Sequence, residues 1–168
     1  MSKIKSEGVC FYCQKKFKKA GIHRHLKKHI EERIIQNATA KSYLVKVETA
    51  RAWGSSPYFL SLWINGETKM EELDYFLRAI WLECCGHLSS FKKPNNTNMR
   101  SNMFDFFEEK ELPMSTKAKN ALYKDLKMEY DYDFGSTTSL QITVLEEYAA
   151  KADENIVLLS RNEPLNIP

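Results

Sequence analysis

Residues 10–29 read Cys-Phe-Tyr-Cys-Gln-Lys-Lys-Phe-Lys-Lys-Ala-Gly-Ile-His-Arg-His-Leu-Lys-Lys-His. Two residues separate Cys10 from Cys13, and three separate His25 from His29. The first spacing lets one tight hairpin turn aim both sulfurs at a point. The second puts both imidazoles on one helix face, a turn apart. Four soft or borderline donors in this pattern predict a tetrahedral metal site formed by Cys10, Cys13, His25 and His29, with a single structural Zn2+ as the cofactor. Phe17 and Ile22 supply the small apolar core that such a unit needs between hairpin and helix. His23 offers a competing register, but His25 keeps Ile22 three residues before the ligand and makes the histidine pair i, i+4; His23 is then expected to be an exposed polar side chain.

The sequence changes character after this basic segment. Residues 1–33 carry ten Lys+Arg against three Asp+Glu, net +7, and the rest carries fifteen against nineteen, net −4. A polyanion would meet the N-terminal part first. The expected fold class is α+β: a small ββα zinc finger over 1–36, a short joint Asn37-Ala38-Thr39-Ala40, then a larger antiparallel-sheet domain with packed helices over 41–168.

Within that larger part, Tyr43, Val45 and Val47 alternate with Leu44, Lys46 and Glu48, and 58–64 form a second strand-like run beyond the break Gly54-Ser55-Ser56-Pro57. Thr68 with Glu71 forms a capping box that predicts a helix start. Its apolar face is Met70, Leu73, Leu77, Ile80, Trp81 and Cys84, with Glu71, Glu72, Asp74 and Arg78 toward water and Gly86 as the stop. Residues 92–103 read as a mobile excursion, and Ser115 is placed to cap a short helix reaching about Leu126. Met128, Tyr130, Tyr132 and Phe134 then alternate with Glu129, Asp131 and Asp133 up to Gly135. A partner strand carries Leu140, Ile142 and Val144, and 156–160 form the last strand.

The functional reading starts from the charge. Lys15, Lys16, Lys18, Lys19, Arg24, Lys27 and Lys28 are candidate phosphate contacts to DNA or RNA. Base readout is poorly served, because the reading positions fall near Lys18, Gly21 and Arg24 and the middle one has no side chain. A single finger also spans only about three base pairs. Contact is therefore expected to be non-specific, and a protein partner or a homotypic contact stays open beside it. No run of eighteen apolar residues occurs and Met1-Ser2-Lys3-Ile4-Lys5 lacks an apolar leader, so no membrane partner is expected and the expected compartment is the cytoplasm. In that reducing setting Cys84 and Cys85 read as buried thiols.

The order of two strands, the helix ending Trp81-Leu82-Glu83-Cys84-Cys85-Gly86-His87, the tract Tyr130-Asp131-Tyr132-Asp133-Phe134-Gly135 and the close Leu158-Leu159-Ser160-Arg161-Asn162-Glu163-Pro164 resemble the plasmid pRiA-type ORF-three-like family over roughly 41–165. The resemblance implies an α+β fold and, for some members, an accessory role in plasmids and transposons. Its finger-bearing members carry a segment similar to Gly21-Ile22-His23-Arg24-His25-Leu26, which supports His25 as the ligand. Ser136-Thr137-Thr138 departs from the family's usual acidic residue and tryptophan after Phe-Gly.

Together these readings describe a non-enzymatic, metal-binding adaptor. The alternative is a nucleic-acid-processing or hydrolytic enzyme using His87 with Asp131 and Asp133, the candidate acid/base set outside the finger. No phosphate-cradling glycine loop, nucleophile elbow or His-Glu-x-x-His motif accompanies it.

Overall fold

The computed structural model describes residues 6–49, 58–82, 86–92, 111–133 and 138–162. The expected break at 54–57, the excursion at 92–103 beyond Lys92, Cys84, Cys85 and the Phe134–Gly135 tip lie outside the described residues. The N-terminal segment forms strands β1 (Glu7–Cys10) and β2 (Lys16–Lys18) and helix α1 (Lys19–Arg33). Next come β3 (Ser42–Thr49), β4 (Phe59–Asn65), α2 (Met70–Leu77), a π-helical turn Arg78–Leu82 and β5 (Ser89–Lys92). The helical turn α3 (Ala118–Ala121) then leads to β6 (Lys127–Tyr132), β7 (Thr138–Tyr148) and β8 (Ile156–Asn162).

Among the described residues eight strands form one antiparallel sheet in the order β2-β1-β8-β4-β3-β7-β6-β5. The α+β class stands, but the expected separation of an N-terminal unit from the rest does not. β1 continues the sheet by pairing Gly8, Val9 and Cys10 with Asn162, Arg161 and Ser160 of β8. A Cβ at Gly8 would lie 2.7 Å from Ser160 Oγ and 2.9 Å from Phe59 Cζ, so only glycine allows this approach. The expected joint is also tied down: Asn37 N donates to Ala149 O at 2.8 Å, and Asn37 Oδ1 accepts from Thr39 N at 3.1 Å.

Strand alternation explains why a chain of this size builds two apolar layers on one sheet. In β3, Tyr43, Val45 and Val47 face one cluster while Leu44 faces the other. In β4, Leu60, Leu62 and Ile64 join the first cluster, and Phe59 and Trp63 the second. The first layer is covered by Met70, Leu73 and Leu77 of α2 and by Ala118 of α3. The second is covered by Ile22, Leu26 and Ile30 of α1, spaced by four and fully buried.

Two helix expectations are corrected. α2 begins at Met70, because Thr68 Oγ1 donates to Asn155 O at 2.9 Å while the Glu72 carboxylate takes the Lys69 amide at 3.0 Å, moving the box along by one residue. The helix expected from Ser115 shortens to Ala118–Ala121, entered from Lys117, whose backbone bridges Lys69.

Asp74 was expected in water and is instead buried at 7% exposure. It accepts from Tyr130 Oη at 2.5 Å, Ser89 Oγ at 2.6 Å and Arg78 Nε at 3.1 Å, so one carboxylate ties α2, the π-helical turn, β5 and β6 together. Burial, then the bond to Asp74, pushes the Tyr130 phenol well above its ordinary pKa, so it stays a donor. Tyr130→Phe leaves a buried carboxylate short of one partner. The expected cost is about 1.5–3 kcal/mol in urea unfolding, and a midpoint like that of the parent would show that the bond contributes nothing net.

Candidate metal centre

Three pieces of local structure position the four ligands. Cys10 ends β1 and Cys13 lies in the turn beyond it, where Gln14 N donates back to Cys10 O at 2.8 Å and Gln14 takes a positive φ of 61°. His25 and His29 stand one turn apart on α1. Their four ligand atoms lie within 4.8 Å of one another, with Cys13 Sγ to His25 Nε2 and His25 Nε2 to His29 Nε2 both at 3.1 Å. Cys10 is buried and the other three are half-buried.

Neighbouring rings fix the imidazoles. Phe17 stacks on His25 with centroids 4.1 Å apart, and Tyr12 lies 5.2 Å from His29 with Arg33 packed over its ring at 3.8 Å. Burial, then the charges of His29, Lys15 and Lys28, lowers the His25 pKa, keeping the neutral imidazole a metal requires. Burial raises the Cys10 thiol pKa, so an incoming ion must displace its proton. Two thiolates and two imidazoles from protein make a closed set suited to holding an ion for structure.

The helix α1 has three faces. Ile22, Leu26 and Ile30 pack on the sheet, His25 and His29 turn to the hairpin, and Gly21, Arg24 and Lys28 meet solvent. His23 is not among the clustered ligands, but neither is it an exposed residue. It sits on the sheet side, Nε2 3.0 Å from Ser61 Oγ, and burial first, then Lys46, lowers its pKa to about 4. A histidine turned toward β4 was not separable in the sequence from one turned toward water.

The seven expected phosphate contacts divide. Lys15, Lys16, Lys18, Arg24 and Lys28 are exposed, and among the described residues none of them is ion-paired. Lys19 is paired with Glu48, and Lys27 Nζ lies 2.6 Å from Glu146 Oε1. The acid/base set divides as well. His87 Nε2 comes to 3.7 Å from Asp133 Oδ2, whereas Asp131 is held by Lys92 at 2.9 Å and by Ser139 at 2.6 Å. Burial works to raise the Asp131 pKa, but Ser139 and Lys92 outweigh it and hold the carboxyl below its ordinary value. The Asp74–Arg78 pair escaped the sequence reading, although its i, i+4 spacing was a signal for it.

No family model matches the chain, and no curated protein matches it. The fold is similar to a crystal structure of a protein of unknown function from Methanosarcina mazei Go1, with a TM-score of 0.52 and 11% identity over 72% of this chain and 67% of that one. At that identity the likeness concerns the fold alone. Among the described residues no helix is long and apolar enough to cross a membrane.

Proposed function

We propose that the chain is a zinc-binding, non-enzymatic adaptor that grips the phosphate backbone of a nucleic acid through the exposed basic side of its metal-anchored hairpin and helix. The observation that carries this reading is the division of its cations. Lys19 and Lys27 are neutralised by Glu48 and Glu146, while Lys15, Lys16, Lys18, Arg24 and Lys28 keep their charge for a partner. Zinc follows from the donors, because two thiolates with two imidazoles select a borderline-soft ion that accepts a tetrahedron. An accessory role in the cytoplasm, handling the nucleic acid of a plasmid or transposon, rests on the resemblance to the plasmid pRiA-type family and belongs to the same proposal.

The test uses two adjacent lysines. Each phosphate contact contributes a slope of about −0.7 to −0.9 in log affinity against log salt, so five contacts weaken binding roughly 100- to 500-fold between about 50 and about 200 mM. Lys28→Gln is expected to reduce the slope by about one contact, and Lys27→Gln to leave it unchanged. Equal effects, or no binding to any labelled oligonucleotide, would overturn the proposal. The alternative of an enzyme draws on the approach of His87 to Asp133. It is read in the same titration as cleavage of the oligonucleotide that disappears in His87→Ala.

A further inference from the structure

We infer that the nucleic acid this surface takes is single-stranded, with one unstacked base lying on the exposed ring of Phe11. The inference rests on the phosphate-binding reading above and adds the chemistry of the strand. Cys10-Phe11-Tyr12-Cys13 contains two aromatic rings with opposite fates. Tyr12 is half-buried against His29 and Arg33. Phe11 is 40% exposed.

The backbone beneath Phe11 is fastened on every side. Phe11 N donates to Leu159 O at 3.0 Å, Phe11 O accepts from Gln14 Nε2 at 3.1 Å, and Cys10 N donates to Lys15 O at 2.9 Å. A ring carried on a turn braced by a metal site and by β8 loses little freedom on binding, which is what a stacking platform requires. The cations stand beside it. Lys15 and Lys16 follow directly on the returning limb of the hairpin, where Lys15 O accepts from Cys10 N and Lys16 pairs with Val9.

A duplex would find less here. Its bases are stacked away from an aromatic ring, and reading it through the major groove needs side chains on the outer helix face. That face carries Gly21 at its middle, with open space where a side chain would stand. Single strands expose both the phosphates that the lysines attract and the π-faces that the ring accepts, without a required sequence.

The experiment titrates the metal-loaded full chain with labelled single-stranded DNA, single-stranded RNA, duplex DNA and an abasic single strand, for the parent, Phe11→Ala and Phe11→Trp. Single strands of either sugar are expected to bind at least about fivefold tighter than the duplex or the abasic strand, since stacking of one base is worth about 5- to 150-fold. Phe11→Ala is expected to lose that factor with its salt slope unchanged, and Phe11→Trp to keep or raise it. Metal content and thermal midpoint establish that each variant is folded, and Phe11→Trp keeps the test decisive if the alanine variant is not. Abasic and ordinary strands binding alike, or the duplex binding as tightly, would overturn the inference and leave the phosphate-binding reading standing. Failure of all four probes would overturn both.

Discussion

Stripping the ion from the protein with a chelator is expected to lower the unfolding midpoint by about 10–20 °C and to expose dye-binding apolar surface, in one transition. The reason lies in what an ion at this site would hold down. Two of its ligands, Cys10 and Cys13, belong to a hairpin that extends the sheet, and the other two stand on a helix whose neighbouring face covers Leu44, Phe59, Trp63 and Leu159. In isolated finger peptides such an ion supplies about 10–16 kcal/mol of folding free energy. Even with half of that offset by docking of the helix on the sheet, about 5 kcal/mol or more disappears, and a domain of this size shifts by about 2–4 °C per kcal/mol. Cys13→Ser should reproduce the result without chelator. An unchanged midpoint with loss of N-terminal helix signal alone would mean that the sheet stands without its metal-bound cover.

The second large effect is expected from Trp63→Ala, far in the chain from any ligand. Trp63 is fully buried in the layer beneath α1, and its indole N–H donates to Ser42 Oγ at 2.9 Å. Truncation removes the largest side chain of that layer and leaves the serine hydroxyl without its donor. The expected loss is about 3–5 kcal/mol in urea unfolding. Because the same helix carries Cys10's partners His25 and His29, the loss must also appear at the metal. Binding and docking are linked, so a coupling of about 1–3 kcal/mol weakens metal affinity by roughly 5- to 150-fold in competition with a chromophoric chelator. Undiminished metal affinity in a destabilised variant would show that the ligand cluster forms independently of the sheet.

Much of the chain was legible before any coordinates. The ligand quartet needs only two spacings, since a tight turn and a helical turn are local objects and their side-chain directions follow from them. The strands β3, β6 and β7 were readable for the same reason, because period-two alternation is written residue by residue, and β4 and β8 from a β-rich run and from the turn that precedes Ile156. The failures share a cause. Asp74 looked like a solvated helix residue until Tyr130, fifty-six positions away, placed a hydroxyl on it. Thr68 looked like a cap until Asn155 offered a carbonyl. Lys19 and Lys27 looked identical to their neighbours until Glu48 and Glu146 arrived opposite them.

The largest of these differences concerns how the N-terminal unit stands to the rest. Its sequence contains a complete local recipe for a metal-binding hairpin and helix, and that recipe is silent about the helix face beside the histidines. Beyond Ile22, Leu26 and Ile30 continue an apolar stripe that a free unit would leave in water, and the sheet offers a matching layer drawn from β3, β4 and β8. Local chemistry therefore determined which four side chains gather as a candidate metal site and which segments are strands. Tertiary structure alone decided that the unit is built into the sheet and which cations stay free, because burial and charge pairing are set by residues that meet only after the chain has folded.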